Sequence, residues 1–114
     1  MDESDIRQLL ATGRLREAFE RIVDTFQVKV FHLALGMTRS EHTARDLAQE
    51  ALLRVWKALP AYNGSASLST WIYTITRNVC LTELKRAGRR PAVSLDAPES
   101  AGTLETLAAT EHAI

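Results

Sequence analysis

Apolar residues recur three and four positions apart through most of residues 1–90, which is the spacing of one face of an α-helix. The longest stripe predicts a helix that ends near Gly36 or Met37, and its members are Leu15, Phe19, Ile22, Val23, Phe26, Val30, Leu33 and Met37. No alternation of apolar and polar residues is long enough to indicate a β-strand. The chain is therefore predicted to belong to the all-α class.

Helix-capping and helix-breaking residues divide this pattern into four predicted helices. Their boundaries are Ser4 to Thr12 for a short first helix, Leu15 to about Met37 and Ser40 to about Leu59 for two long ones, and Ser67 or Ser69 to about Ala87 for a third. Gly13, Pro60 and Gly88 follow these segments, as helix-breaking residues do. We expect a compact bundle of three long helices plus the short N-terminal one, with an irregular C-terminal tail.

Charge separates the 114-residue chain into two parts. Residues 1–90 contain 14 basic and 10 acidic residues, whereas residues 91–114 contain four acidic residues and no Lys or Arg. The net charges of the two parts, +4 and −4, cancel over the whole chain. Because Pro91, Pro98 and Gly102 interrupt the second part, residues 91–114 are predicted to form an acidic, flexible linker. Residues 1–90 are predicted to form one domain with an anionic partner.

Composition and motif content exclude several classes of protein. Cys80 is the single cysteine, so no internal disulfide is expected, and its side chain is predicted to pack as a small apolar group. The three histidines lie on different segments, and no nucleophile–base pattern is present. We therefore expect no metal, no cofactor and no catalytic residue, and hence a protein that is not an enzyme. With no signal pattern and no membrane-length apolar run, the chain is expected to be cytoplasmic. A monomer in isolation is the simple expectation.

The second long helix has two predicted faces, because its residues fall on opposite halves of the helix at about 100° per residue. The apolar half, expected in the core, is Leu47, Ala48, Ala51, Leu52, Val55, Trp56 and Leu59. The polar half is Asp46, Gln49, Glu50, Leu53, Arg54 and Lys57. Such a half is ordinarily only solvated. Leu53, framed by charges of both signs, also suits a docking site with an apolar anchor inside a polar rim.

The third long helix has apolar residues on two opposite sides, one with Trp71, Ile72, Ile75 and Val79 and the other with Tyr73, Cys80, Leu81 and Leu84. Either the helix is central and packed on both sides, or one side faces a partner. A polar strip with Thr74, Asn78 and Lys85 separates the two sides, with Arg77 beside it. Arg77, Lys85, Arg86, Arg89 and Arg90 outnumber Glu83 by four charges, which favours a nucleic-acid partner, since cations hold phosphates and amides pair with base edges.

Four segments together resemble region two of the extracytoplasmic-function group of sigma-70-type sigma factors. In chain order they are ARDLAQEALLRVWKAL (44–59), YNGSASLSTWIY (62–73), ITRNV (75–79) and RRP (89–91). The resemblance covers about residues 5–100 and implies a transcription initiation factor that binds core RNA polymerase and directs it to a promoter. Such factors also have a C-terminal helix-turn-helix domain, which this chain is expected to lack as a truncated form of a longer protein.

The resemblance assigns two binding surfaces to this chain. The first would dock on the coiled-coil clamp helices of the largest polymerase subunit through Asp46, Gln49, Glu50, Leu53, Arg54 and Lys57. The second would recognise and help melt the promoter minus-ten element, because the turn at residues 62–67 would capture a base flipped out of the non-template strand. With the basic cluster added, the DNA-contacting set is Tyr62, Asn63, Gly64, Ser65, Ser67, Trp71, Tyr73, Thr74, Arg77, Asn78, Lys85, Arg86, Arg89 and Arg90.

Two further partner hypotheses follow from the same residues. The resemblance implies an anti-sigma protein as a partner, and an exposed cluster of Tyr73, Leu81 and Leu84 would favour that hypothesis. The alternative function is a helical protein-interaction bundle that does not bind nucleic acid, which the neutral overall charge and the two-sided third helix support.

Overall fold

The computed structural model describes residues 3–88 of the chain. Its elements in chain order are α1 (Glu3–Ala11), α2 (Leu15–Thr38), α3 (Glu41–Ala58), a 3₁₀ turn (Leu59–Ala61) and α4 (Leu68–Arg86). No β-strand occurs within residues 3–88, so the predicted all-α bundle is confirmed. Among the described helices, none combines the length and the apolar character needed to cross a membrane. The predicted linker at 91–114, together with Arg89 and Arg90, lies outside the described residues.

Serine side chains cap α3 and α4 at their first turns. The Ser40 hydroxyl accepts a hydrogen bond from the Thr43 backbone N–H at 3.3 Å, and the Ser67 hydroxyl accepts one from the Thr70 N–H at 3.2 Å. Each bond satisfies an amide donor that the first turn of a helix leaves without an intrahelical partner. Ser67 is therefore the cap of α4, and Ser69, the other candidate, lies inside the helix.

Three helix ends differ in detail from the prediction. α1 begins at Glu3, so Ser4 lies in its first turn and is not its N-cap. Pro60 does not end the helical path outright, because the chain continues through one 3₁₀ turn. Proline is tolerated there, since the first residues of a helical turn donate no hydrogen bond within it. α2 extends to Thr38 and ends where Arg39 adopts a left-handed conformation with φ 55°.

α2 is the centre of the bundle, because α1, α3 and α4 all pack against it. Its buried residues recur at helical spacing and are Ala18, Ile22, Phe26, Val30, Ala34 and Met37. The buried residues of α3 are Ala44, Leu47, Ala48, Ala51 and Val55. Removing these side chains from water is the dominant favourable contribution to folding. The periodic stripe of α2 therefore predicted its core face correctly.

α4 is buried on two opposite sides. Its buried apolar residues are Ile72 and Val79 on one side and Tyr73, Cys80 and Leu84 on the other. The Tyr73 ring meets the Phe26 ring of α2 edge-on, with the ring centroids 6.5 Å apart. Of the two interpretations of this helix, packing on both sides is therefore confirmed, and a free apolar side is wrong.

Three predictions about large side chains are corrected by this packing. Tyr73 was placed in the DNA-contacting set, but it is only 3% exposed, because α2 covers it. The apolar cluster with Leu81 and Leu84 is not exposed either, since Leu84 is buried and Leu81 is half-buried. Trp56 was predicted in the core, but it is 40% exposed and packs against Phe19 at the margin of the bundle, with ring centroids 5.1 Å apart.

Two valines of α2 provide a matched test of this core. Val30 is fully buried, whereas Val28 is 60% exposed. Both alanine substitutions gain the same helix propensity, so the difference between them reports packing alone. We expect Val30→Ala to be less stable than Val28→Ala by about 1–3 kcal/mol in urea unfolding, because it removes buried methyl groups and leaves a cavity. Equal unfolding free energies would contradict the described position of α2.

Candidate functional site

The outward half of α3 is an exposed face with an apolar residue inside a polar rim. We call it the α3 face, and it consists of Asp46, Gln49, Glu50, Leu53, Arg54 and Lys57, all of which are exposed. Leu53 is 45% exposed, one of the few large apolar side chains at the surface of residues 3–88. The helical period therefore placed all six residues correctly on the outside. Their role in binding stays a prediction.

Charged side chains along the α3 face pair with each other one helical turn apart. The Arg54 Nε lies 3.0 Å from the Glu50 carboxylate. Beside the face, the His42 Nε2 lies 3.6 Å from the Asp46 carboxylate, a contact that is an ion pair only when the imidazole is protonated. Exposed pairs of this kind contribute little to stability, about 0.3–0.5 kcal/mol each. They are therefore available to exchange partners when another charged surface approaches.

A groove of about 550 Å³ runs between α3 and α4 beside this face. Asp46, Glu50 and Arg54 line it from α3, and Glu83 and Arg86 line it from α4. Within the groove, the Arg86 guanidinium forms an ion pair with the Glu83 carboxylate. Arg86 was predicted among the DNA-contacting residues, but the structure places it next to the α3 face, at the C-terminal end of α4.

The loop at residues 62–67 is closed by hydrogen bonds between its own residues. The Tyr62 hydroxyl donates to the Ala66 carbonyl at 2.6 Å, and the Asn63 side-chain oxygen accepts from the Ser65 N–H at 2.9 Å. Gly64 between them has φ +79°, a left-handed conformation that favours glycine. These bonds fix a tight polar turn immediately before α4.

The residues of this loop divide into supporting and outward-facing groups. Tyr62 is half-buried and packs on Trp71 of α4 with ring centroids 4.8 Å apart, while Ser67 caps the helix. Asn63, Gly64 and Ser65 are exposed. Of the five loop residues in the predicted DNA-contacting set, Tyr62 and Ser67 therefore hold the shape, and Asn63, Gly64 and Ser65 offer polar groups to a partner. Trp71 is half-buried under the loop, which makes it a support.

A strip of exposed residues follows the loop along α4 at intervals of one turn. Its members are Thr70, Thr74, Asn78 and Thr82. The Thr74 and Thr82 hydroxyls donate to the backbone carbonyls of Thr70 and Asn78, each at 2.8 Å. The Asn78 side-chain amide, by contrast, makes no hydrogen bond to another residue of the described range. Asn78 is therefore the member of the strip with its donors and acceptor open to a partner.

The structure separates the predicted DNA-contacting residues along the length of α4. Ser67 and Asn78 are about 16 Å apart along the helix axis, at about 1.5 Å per residue, and Lys85 lies still further from the loop. Arg77 is half-buried, and its Nε is buried without a hydrogen-bond partner among the described residues. One nucleotide cannot contact both ends of this set, so a bound strand would have to extend along the strip.

Two residues of α1 that the sequence analysis did not single out contact the loop and the start of α4. The Arg7 guanidinium donates to the Tyr62 hydroxyl at 3.0 Å. The Glu3 carboxylate accepts from the Leu68 N–H at 2.8 Å. No sequence signal pointed to these contacts, because the partners are more than 50 residues apart and neither residue type nor spacing encodes such a pairing.

Comparison with known proteins assigns the family. The model of the protein family described as Sigma-70 region 2 matches residues 22–90 of this chain. These residues include most of α2 and all of α3, the loop and α4. The chain belongs to the Sigma-70 region 2 family. The resemblance found in the four sequence segments is thereby confirmed. The family match begins after α1, so the contacts of Glu3 and Arg7 lie outside the matched residues.

Relatives of this region 2 chain are named as sigma factors of the extracytoplasmic-function (ECF) group. It is 53% identical over 55 residues to the ECF RNA polymerase sigma factor SigG of Mycobacterium tuberculosis, covering 48% of this chain and 15% of the relative. It is 34% identical over 88 residues to the ECF RNA polymerase sigma factor SigW of Bacillus subtilis, an alignment that covers 77% of this chain and 46% of the relative. It is 30% identical over 103 residues to the ECF RNA polymerase sigma-E factor of Escherichia coli, an alignment that covers 85% of this chain and 53% of the relative. The chain thus spans about half or less of these relatives.

The Cys80 thiol of this region 2 domain lies in the core, where burial changes its pKa. Burial raises the pKa of this thiol from an ordinary value of 9.0 to about 11, because the charged thiolate is desolvated in the core. Elsewhere in residues 3–88, no three His, Cys, Asp or Glu side chains form a group that could hold a metal ion. The buried position of Cys80 agrees with its predicted packing as a small apolar side chain.

The shifted pKa of Cys80 predicts slow alkylation. At pH 8 the raised pKa of Cys80 lowers the thiolate fraction, and burial keeps the reagent from the sulfur. Iodoacetamide should therefore react at least roughly tenfold more slowly with the folded chain than with the chain in urea. The unfolded chain ionises first as pH rises, so the thiol's contribution to stability is present below pH 9.0 and is lost as pH approaches about 11. Equal alkylation rates with and without urea would contradict the buried position.

Proposed function

We propose that this chain is the domain of a transcription initiation factor that binds core RNA polymerase and the promoter minus-ten element. The observation that carries the proposal is the family match over residues 22–90, which spans both the α3 face and the loop with its strip on α4. The names of the relatives, all RNA polymerase sigma factors, support the same function. The proposal places the protein in the cytoplasm, where it would act without enzymatic activity of its own.

Polymerase docking is proposed for the α3 face. Leu53 would insert as the apolar anchor, and the surrounding charged pairs would rearrange around the clamp helices of the largest polymerase subunit. Glu50 and Arg54 present charges of both signs, which suits a partner helix with its own alternating charges. The groove toward α4 extends this surface, so Glu83 and Arg86 become additional candidates for the same contact.

Promoter recognition is proposed for the loop and the strip on α4. The exposed polar groups of Asn63, Gly64 and Ser65 would surround a base flipped out of the non-template strand, and Asn78 would contact the same strand further along. Extruding a base costs a few kcal/mol, and a preshaped polar pocket offsets that cost selectively. Lys85, together with Arg89 and Arg90 from the sequence, would hold backbone phosphates beyond Asn78.

We also propose an anti-sigma protein as a partner, but at a different surface from the predicted cluster of Tyr73, Leu81 and Leu84. The cluster of Tyr73, Leu81 and Leu84 is not available to it, for the packing reason given above. The exposed large apolar residues among 3–88 are Val28, Leu53 and Trp56. An anti-sigma protein that covers Leu53 would compete directly with polymerase for the α3 face.

Charge reversal tests the docking surface. We expect Asp46→Lys and Glu50→Lys to weaken binding to core RNA polymerase about three- to tenfold each, because the rim charges would then oppose their partners. Thermal unfolding should change little, since the side chains of both residues are exposed and so are their contacts with neighbouring side chains. Affinity can be measured by titrating labelled chain with core polymerase.

Glu20→Lys is the matched control for these reversals. Glu20 is an exposed glutamate on α2 and is not one of the residues of the α3 face, so the control makes the same change in net charge. Its affinity for polymerase should equal that of the unsubstituted chain. If Glu20→Lys and Glu50→Lys weaken binding equally, only net charge is being measured, and docking through the α3 face is wrong.

Asn78→Ala tests base recognition on the strip. We expect it to lower affinity for a preferred single-stranded oligonucleotide about three- to tenfold and to leave a scrambled oligonucleotide almost unaffected, because the amide contacts bases. Thr82→Ala is the control, since the Thr82 hydroxyl is already bonded to its own helix. An equal loss on both oligonucleotides would exclude base contact by Asn78. A steep fall of DNA affinity with salt would argue against the protein-interaction bundle.

A further inference from the structure

We propose that α1 positions the 62–67 loop for base capture, with Arg7 and Glu3 as the positioning residues. The inference rests on the proposed function of the loop and adds a structural requirement to it. It also assigns a role to a helix that lies before the matched family residues. The contacts that carry it join the beginning of the chain to both ends of the loop.

Arg7 links the first and the fifth residue of the loop. Its guanidinium donates to the Tyr62 hydroxyl at 3.0 Å and to the Ala66 carbonyl at 3.4 Å. The same hydroxyl donates to the same carbonyl at 2.6 Å, so three polar groups close one small network. The guanidinium carbon also lies 6.0 Å from the centre of the Tyr62 ring. One side chain of α1 therefore contacts both positions that define the width of the loop.

Glu3 holds the position at which the loop enters α4. Its carboxylate accepts hydrogen bonds from the Leu68 N–H at 2.8 Å, from the Ser69 N–H at 3.4 Å and from the Ser69 hydroxyl at 3.3 Å. A carboxylate at this end of a helix is favoured because the first-turn amides carry partial positive charge. The same carboxylate lies 3.9 Å from the Arg7 guanidinium, which couples the two residues.

The composition of the loop explains why it needs this support. Between Tyr62 and Ser67 it has no large apolar side chain, and its tip at Gly64 has nothing within 4 Å of the position of a Cβ atom. A small polar turn of this kind gains little from burial, so hydrogen bonds must fix its shape. A loop fixed before binding does not lose that conformational entropy when a base enters. Release of Arg7 should therefore reduce selectivity for the captured base.

Positioning differs measurably from direct contact with phosphate. Arg7 is 45% exposed on its side chain, so it could in principle hold a phosphate itself. A lost phosphate contact weakens binding equally for all sequences and lowers the salt slope of affinity by about one. A lost positioning contact leaves the salt slope unchanged and lowers only the ratio between preferred and scrambled sequences. The salt slope and the sequence ratio therefore separate the two roles.

The first experiment uses the full chain and two single-stranded oligonucleotides. The preferred one is selected from a randomised pool by the unsubstituted chain, and the second is a scramble of equal composition. We expect Arg7→Ala and Tyr62→Phe each to reduce the affinity ratio about three- to tenfold, with the salt slope unchanged. The double substitution should be no worse than the stronger single one, because both remove the same network. Arg7→Lys keeps the positive charge but loses the planar guanidinium that donates to two acceptors. Its affinity ratio should therefore lie between those of Arg7→Ala and the unsubstituted chain.

The control is Arg14→Ala. Arg14 is an exposed arginine paired with Glu17 at 3.7 Å, so it matches Arg7 in charge and in having a local acidic partner, but it has no hydrogen bond to the loop among the described residues. Its affinity ratio should equal that of the unsubstituted chain. If Arg7→Ala proves unfolded by circular dichroism, Tyr62→Phe tests the same network without removing the charge.

A second measurement needs no DNA and keeps the inference separate from the proposed function. Tyr62 packs on Trp71, so release of the loop should expose this indole. In a Trp56→Phe background, Arg7→Ala should shift the Trp71 emission to longer wavelength and raise its quenching by acrylamide. If the unsubstituted chain fails to discriminate between the oligonucleotides, the proposed function is wrong. If it discriminates and Arg7→Ala keeps both the ratio and the Trp71 emission, only the role of α1 is wrong.

Discussion

The burial of α4 on two opposite sides is the constraint on which the rest of the structure depends. Because α2 and α3 cover those sides, α4 exposes a narrow strip with one residue per turn, and Lys85 and Arg86 at its C-terminal end. On that strip the threonine hydroxyls bond to their own helix, which leaves Asn78 as an open amide.

The start of α4 is held by polar contacts that the apolar core does not supply. Ser67 caps the helix from within the chain, and Glu3 adds a second acceptor from α1. Arg7 then connects α1 to the loop through Tyr62 and Ala66. Backbone amides at a helix start require partners, and here two separate segments provide them. This arrangement joins the shape of the loop to the position of α1.

The two ends of α4 differ in the charge of the groups that they expose. At the C-terminal end, Glu83 and Arg86 form a pair that faces the groove beside α3. At the N-terminal end, the loop presents uncharged polar groups with Arg7 behind them. Glu83 and Arg86 therefore lie about 25 Å along the 19-residue helix from the 62–67 loop.

The sequence by itself determined the features that depend on neighbouring residues. The helical period gave the four helices, the core stripe of α2 and the six exposed residues of the α3 face, since period and exposure follow from local geometry. The cap of α3 at Ser40 and the tight turn at Gly64 are also encoded locally.

Tertiary structure alone decided how those elements are used. It buried Tyr73 against Phe26, left Trp56 at the margin, turned Arg86 toward α3 and brought Glu3 and Arg7 to the loop. Each of these outcomes depends on a partner distant in the chain, and neither residue type nor spacing specifies which of two similar apolar sides a neighbouring helix will cover.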